Sequence, residues 1–127
     1  MKVLFLDELE EFHKKAERKL KSSKLLYDAG DFANSLSLSY YAMLLMSKAL
    51  LVKIGITTNK HFGIIKELSR TYVKTGKLDN KTYKYLTKTQ SLRNQSDYEA
   101  IDDITEEIAK EKINQAREFI DVTKELL

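Results

Sequence analysis

The chain of 127 residues carries 22 Lys and Arg against 19 Asp and Glu, a net charge of +3, with no cysteine and no proline. Disulfides and thiolate metal sites are therefore excluded, and the small positive excess permits contact with phosphates without the charge of a dedicated nucleic-acid binder. A chain this long buries roughly 65–70% of the surface its unfolded form exposes, which suffices for one domain spanning 1–127.

With proline absent and only four glycines, the glycines mark where helices stop, and an all-α fold is expected. Gly30, Gly55 and Gly76 each follow an apolar-periodic stretch, as C-terminal caps do. The first segment, about 7–29, repeats Leu9, Phe12, Ala16 and Leu20 between lysines and glutamates, an amphipathic stripe. Its start, "MKVLFLDELEEF", has too short an apolar run for a signal peptide.

Asp31 can cap the second segment, which runs to Ile54 and places Phe32, Leu36, Tyr40, Met43 and Leu50 at helical spacing. Leu38, Tyr41, Leu45 and Leu51 widen its apolar surface, so this helix is expected at the centre. Tyr40 and Tyr41 are most simply core residues whose hydroxyls reach a partner or the surface. The richest run, "YYAMLLMSKALLVKIG", is interrupted by Ser47, Lys48 and Lys53 and falls short of a membrane span. The expectation is a soluble, cytoplasmic protein with no membrane partner.

A third helix over about 60–75 buries Ile64, Ile65, Leu68 and Tyr72, and a fourth begins near Asp79 with Tyr83, Leu86 and Leu92. The last follows "DDITEE", where Asp103 and Glu106 have capping-box spacing, and carries Ile108, Ile113, Ala116, Phe119, Ile120 and Leu127. The short connections favour an up-and-down four-helix bundle with an additional shorter helix.

The chain has no glycine-rich phosphate loop, no HExxH and no nucleophile elbow. The "DDITEE" carboxylates suit a hard cation, but a helix N-terminus favours acidic residues in any case, so neither metal nor cofactor is expected. His61 opens the third helix, either as a partly exposed residue or as a polar group facing a site between helices.

"SLRNQSDYEA", residues 91–100, concentrates polar chemistry. Arg93 and Asp97 are four residues apart and face one side of a helix, while Asn94, Asp97 and Tyr98 fall at i, i+3 and i+4. A guanidinium fork, an amide, a carboxylate and a phenol in this arrangement can hold a phosphodiester.

The order of these pieces, from "AGDFANSLSLSYYAMLLMSKALL" through "KHFG" to "RNQSDY" and "INQAREFI", resembles the HEPN superfamily, within it the small stand-alone prokaryotic proteins. The resemblance implies a helical bundle, usually dimeric. Many members are metal-independent ribonucleases, often toxins neutralised by a nucleotidyltransferase partner, with a signature of arginine, a polar residue and, after four to six positions, histidine. Arg93 and Asn94 match its first half. Tyr98 stands where a histidine would close the shorter version, and no histidine follows His61.

A phenol of pKa about 10 is not a base near neutrality, whereas imidazole is. Two expectations follow: a HEPN-type module that binds RNA, a nucleotide or a nucleotidyltransferase partner, in a toxin-antitoxin-like system, or a metal-independent endoribonuclease. The candidate catalytic residues are Arg93, Asn94, Asp97 and Tyr98, and the candidate ligand-binding residues are Arg93, Tyr98 and His61.

Overall fold

The computed structural model describes residues 2–98 and 104–127, with side chains from residue 6 onward. Five α-helices are described and no strand: α1 (Lys2–Asp28), α2 (Phe32–Lys53), α3 (His61–Leu68), α4 (Asn80–Tyr98) and α5 (Glu106–Lys124), with a π-helical turn, Ser69–Val73, directly after α3.

Side-chain meetings fix the directions of the long helices. Ser23, late in α1, bonds to Ser35 and Ser39, early in α2, while Leu9 packs with Ala49 and Val52 at the far end. These two helices are antiparallel. Tyr27 donates to Glu106 at the start of α5 and Leu127 packs by Leu9, so α5 also opposes α1; Tyr85 of α4 donates to Glu118 of α5. An up-and-down bundle of α1, α2, α4 and α5 results, with α3 as the shorter addition.

Local chemistry places the boundaries. Gly30, Gly55 and Gly76 have φ of 82°, 82° and 79°, the left-handed region in which a Cβ is penalised. The residue after each returns its amide to a carbonyl in the last helical turn, as Asp31 does to Leu26 at 2.9 Å and Ile56 to Leu51 at 2.9 Å. Asp31 caps α2 through the amide of Asn34, and Asp79 accepts from the Thr82 amide at 2.9 Å to start α4.

Three boundaries differ from the sequence expectation. The first helix begins at Lys2 rather than near Asp7, since no glycine or proline breaks the chain there. The third does not run unbroken to Thr75. Thr71 Oγ1 donates to the Glu67 carbonyl at 2.6 Å, the acceptor that the Thr71 amide would use in a regular helix, and the ladder widens into the π turn. At α5 the cap is Thr105, whose side chain accepts from Ile108 N at 3.2 Å; Asp103 lies outside the described residues.

Helix α2 is long and apolar enough to cross a membrane by length and composition, yet 72% of that stretch is buried inside the bundle. It packs against α1, α3, α4 and α5 at once. Leu36, Tyr40, Met43, Met46 and Leu50 are fully buried, and the last four meet Leu20, Leu68, Leu86, Phe119 and Ile120 in one core. Most of the wide apolar surface of α2 is thus covered within the chain, while Leu38, Tyr41 and Leu45 stay partly exposed. Serine makes the α1–α2 contact close: Ser23, Ser35 and Ser39 are fully buried and satisfy one another at 2.8–3.1 Å.

Candidate functional site

Four side chains from three helices converge on one side of the bundle. Tyr40 and Tyr41 come from the middle of α2, His61 from the first position of α3, and Arg93 from the last third of α4. The two adjacent tyrosines of α2 share their neighbours but differ in depth: Tyr40 is fully buried, Tyr41 half-buried. Arg93 Nη2 donates to Tyr41 Oη at 2.7 Å. Its guanidinium carbon lies 4.9 Å from the Tyr41 ring centroid and 5.5 Å from that of Tyr40, within cation–π range.

His61 completes the group. Its ring stands edge-on to Tyr41 with centroids 5.7 Å apart, and Nδ1 is 3.4 Å from Tyr40 Oη. Burial, then the Arg93 charge, hold the imidazole below its ordinary value, so it is neutral at pH 7. Burial pushes the Tyr40 phenol up to about 12 despite the opposing Arg93 charge, so Tyr40 stays protonated.

Arg93 is held differently from Arg117, the other part-buried arginine with a bridging role. Arg117 is clamped by Glu17 at 2.6 and 2.7 Å and by Asp121 at 2.8 Å. Among the described residues the carboxylate paired with Arg93 is that of Asp97, at 3.5 Å and nearly half exposed. The Nε atoms of both arginines are buried with no hydrogen-bond partner among the described residues, so the difference lies at the outer nitrogens. A five-donor fork resting on two rings, with a single half-exposed carboxylate beside it among the described residues, retains capacity for an external anion.

Beside Tyr41 and His61 a groove of about 310 Å³ opens between α1, α2 and the segment entering α3. Leu44, Leu45 and Ile64 line it, with Lys19, Lys48 and Asn59 among its polar groups. Lys48 Nζ donates to Asn59 Oδ1 at 2.8 Å.

Of the residues singled out in the sequence, Arg93 and Asp97 pair as their spacing anticipates, and His61 joins Arg93 through the tyrosines. Asn94 and Tyr98 point elsewhere: both are exposed, Tyr98 at 89%, and neither makes a side-chain hydrogen bond among the described residues. Asp97 therefore stands with Arg93 rather than in a cluster with those two. Among the described residues no three His, Asp or Glu side chains gather as metal ligands would.

The HEPN domain family matches residues 9–126. The chain belongs to the HEPN family. A protein of Methanocaldococcus jannaschii named "Putative toxin" is 32% identical over 127 residues, covering 100% of this chain and 86% of the relative. A second of that name from the same organism is 32% identical over 112 residues, 88% of this chain and 83% of its own. A UPF0332 protein of Thermotoga maritima is 29% identical over 119 residues, 94% of this chain and 90% of the relative.

Sequence reasoning about this HEPN chain passed over Tyr40 and Tyr41 as core. A signal was present: two adjacent tyrosines on a buried helix require partners for two hydroxyls, and Arg93 is the one arginine in "SLRNQSDYEA". Which helix supplied the partner was not written in the spacing.

Proposed function

We propose that this HEPN chain is a binding module for a phosphate-bearing ligand, RNA or a nucleotide, held at Arg93 against Tyr41 and His61, within a toxin-antitoxin-like system. The observation that carries this reading is the part-buried guanidinium lying on two tyrosine rings, whose carboxylate partner among the described residues is a half-exposed Asp97 at 3.5 Å. The relatives named "Putative toxin" support the system-level part. A nucleotidyltransferase partner, a cytoplasmic location and a homodimer belong to the same proposal. For the dimer, Phe62 beside His61 is 75% exposed and Tyr98 at the end of α4 is 89% exposed, apolar surface that a second copy would cover.

The test is affinity for a short single-stranded RNA at two salt concentrations in wild type, Arg93→Ala and Tyr98→Phe. A phosphate contact makes affinity fall as salt rises, so Arg93→Ala should weaken binding and flatten the salt slope. Tyr98→Phe keeps the aromatic face on which a base could stack and should leave binding nearly unchanged. Equal affinity in wild type and Arg93→Ala would sink the site.

One observation favours the ribonuclease as a second reading. The segment after Arg93 lacks the histidine of the family signature, but His61 comes to Arg93 through space, and its neutral imidazole is the form that accepts a proton from a 2′-hydroxyl. RNA cleavage in excess chelator, lost in both His61→Ala and Arg93→Ala, would establish it.

A further inference from the structure

The groove beside Tyr41, at about 310 Å³, is larger than a phosphate needs. Its floor is apolar, with Leu44 and Ile64 only 6% and 2% exposed and Leu45 half-buried, and the aromatic edges of Tyr41 and His61 bound it on the Arg93 side. A volume of about 310 Å³ is at the small end of ligand pockets, suited to one flat heterocycle rather than a peptide or helix.

Its polar groups are nearly all donors. An ammonium can only donate, so the 2.8 Å contact of Lys48 fixes the oxygen of Asn59 toward the lysine and leaves the Asn59 amide nitrogen, with two hydrogens, free to donate. Tyr41 Oη already accepts from Arg93 and keeps its own hydrogen to give. Lys19 and Lys48 add two ammonium groups. An apolar slot edged by donors complements a ring that carries carbonyl acceptors.

We infer that this groove receives one unstacked keto base, uracil or guanine, of the RNA strand whose phosphate Arg93 holds. The inference rests on the proposed phosphate contact and deepens it: Arg93 supplies affinity, and the groove supplies choice among bases. At position 4 uracil carries a carbonyl and cytosine an amino group. Against the Asn59 amide the carbonyl makes a hydrogen bond, and the amino group leaves two donors facing each other.

The experiment compares affinities for oligouridine, oligocytidine and an abasic strand of the same length. Wild type is expected to bind oligouridine at least about fivefold more tightly than either other strand, the effect of one hydrogen bond made or left unmade. Leu45→Trp, which fills the slot, should bring the three affinities together while keeping the wild-type salt slope. Asn59→Asp exchanges the donor for an acceptor at an exposed position that does not endanger the fold, and should turn the preference toward oligocytidine. Three strands bound equally by wild type, with Arg93→Ala weakening all of them, would overturn the base groove and leave the phosphate contact standing. Discrimination that survives both Leu45→Trp and Asn59→Asp would also overturn it. Affinity unaffected by Arg93→Ala would overturn the phosphate contact instead.

Discussion

Arg93 and Tyr41, 52 residues apart in the chain, are joined by a 2.7 Å hydrogen bond in which a charged donor meets a neutral phenol where a carboxylate would be the usual partner. Removing the phenol oxygen strands a guanidinium whose side chain is only 20% exposed. Tyr41→Phe is therefore expected to lower stability by about 1–2 kcal/mol, the range for a bond to a charged group allowing for partial rehydration. Tyr98→Phe, on an exposed ring, should change it by less than about 0.5 kcal/mol. Urea melts of the two variants measure the difference, and equal midpoints would show that the Tyr41 contact contributes nothing to the fold.

Core truncations should exceed both. Leu36 and Met43 are fully buried on α2, so either one replaced by alanine should cost about 2–5 kcal/mol through lost burial and the cavity left behind. Arg93→Ala should cost less than these. Denaturant melts giving the reverse order would make Arg93 chiefly a structural residue.

Acidification should weaken the fold through His61. Burial and the Arg93 charge lower its folded-state pKa, so the unfolded chain, titrating near 6.5, binds the proton more readily. Stability then rises with pH between the folded value and about 6.5, and is lost as pH falls through that window. Wild type should show a falling denaturation midpoint there, and His61→Gln should remove that component. An unchanged slope in the variant would assign it to other groups.

Glu17 acts in a lower range. Its hydrogen bond from Arg117 holds the carboxyl below its ordinary 4.5, so its contribution is present above that value and lost as pH falls through the folded pKa. Both partners are more than a third exposed, so Glu17→Gln should cost only about 0.5–1 kcal/mol near neutrality. The variant's loss relative to wild type, measured at pH 7, should shrink toward zero in acid.

The serines between α1 and α2 should tolerate little added bulk. Ser23, Ser35 and Ser39 are fully buried, and Ser39→Val adds a methyl and breaks a 2.8 Å bond at once. A loss of about 1–3 kcal/mol in thermal or denaturant unfolding is expected, and a neutral result would mean that the helices can separate without penalty.

Periodicity determined the elements because it records which side of a helix meets the core. Leu9, Ala16 and Leu20 on α1, and Ile113, Ala116, Phe119 and Ile120 on α5, are buried as their spacing requires, and Gly30, Gly55 and Gly76 stop helices because a Cβ penalises their backbone. Arg93 and Asp97 were legible for the same reason, being neighbours on one helix. The placement of His61 and both tyrosines against Arg93 was not, because those contacts join α2, α3 and α4, and a sequence pattern carries each helix's apolar face but not its partner's rotation. The π turn at Ser69–Val73 escaped likewise, since a single hydroxyl, Thr71, redirects one carbonyl without disturbing the apolar period. Tertiary packing alone decided that a chain with no histidine after its arginine nevertheless brings an imidazole beside it.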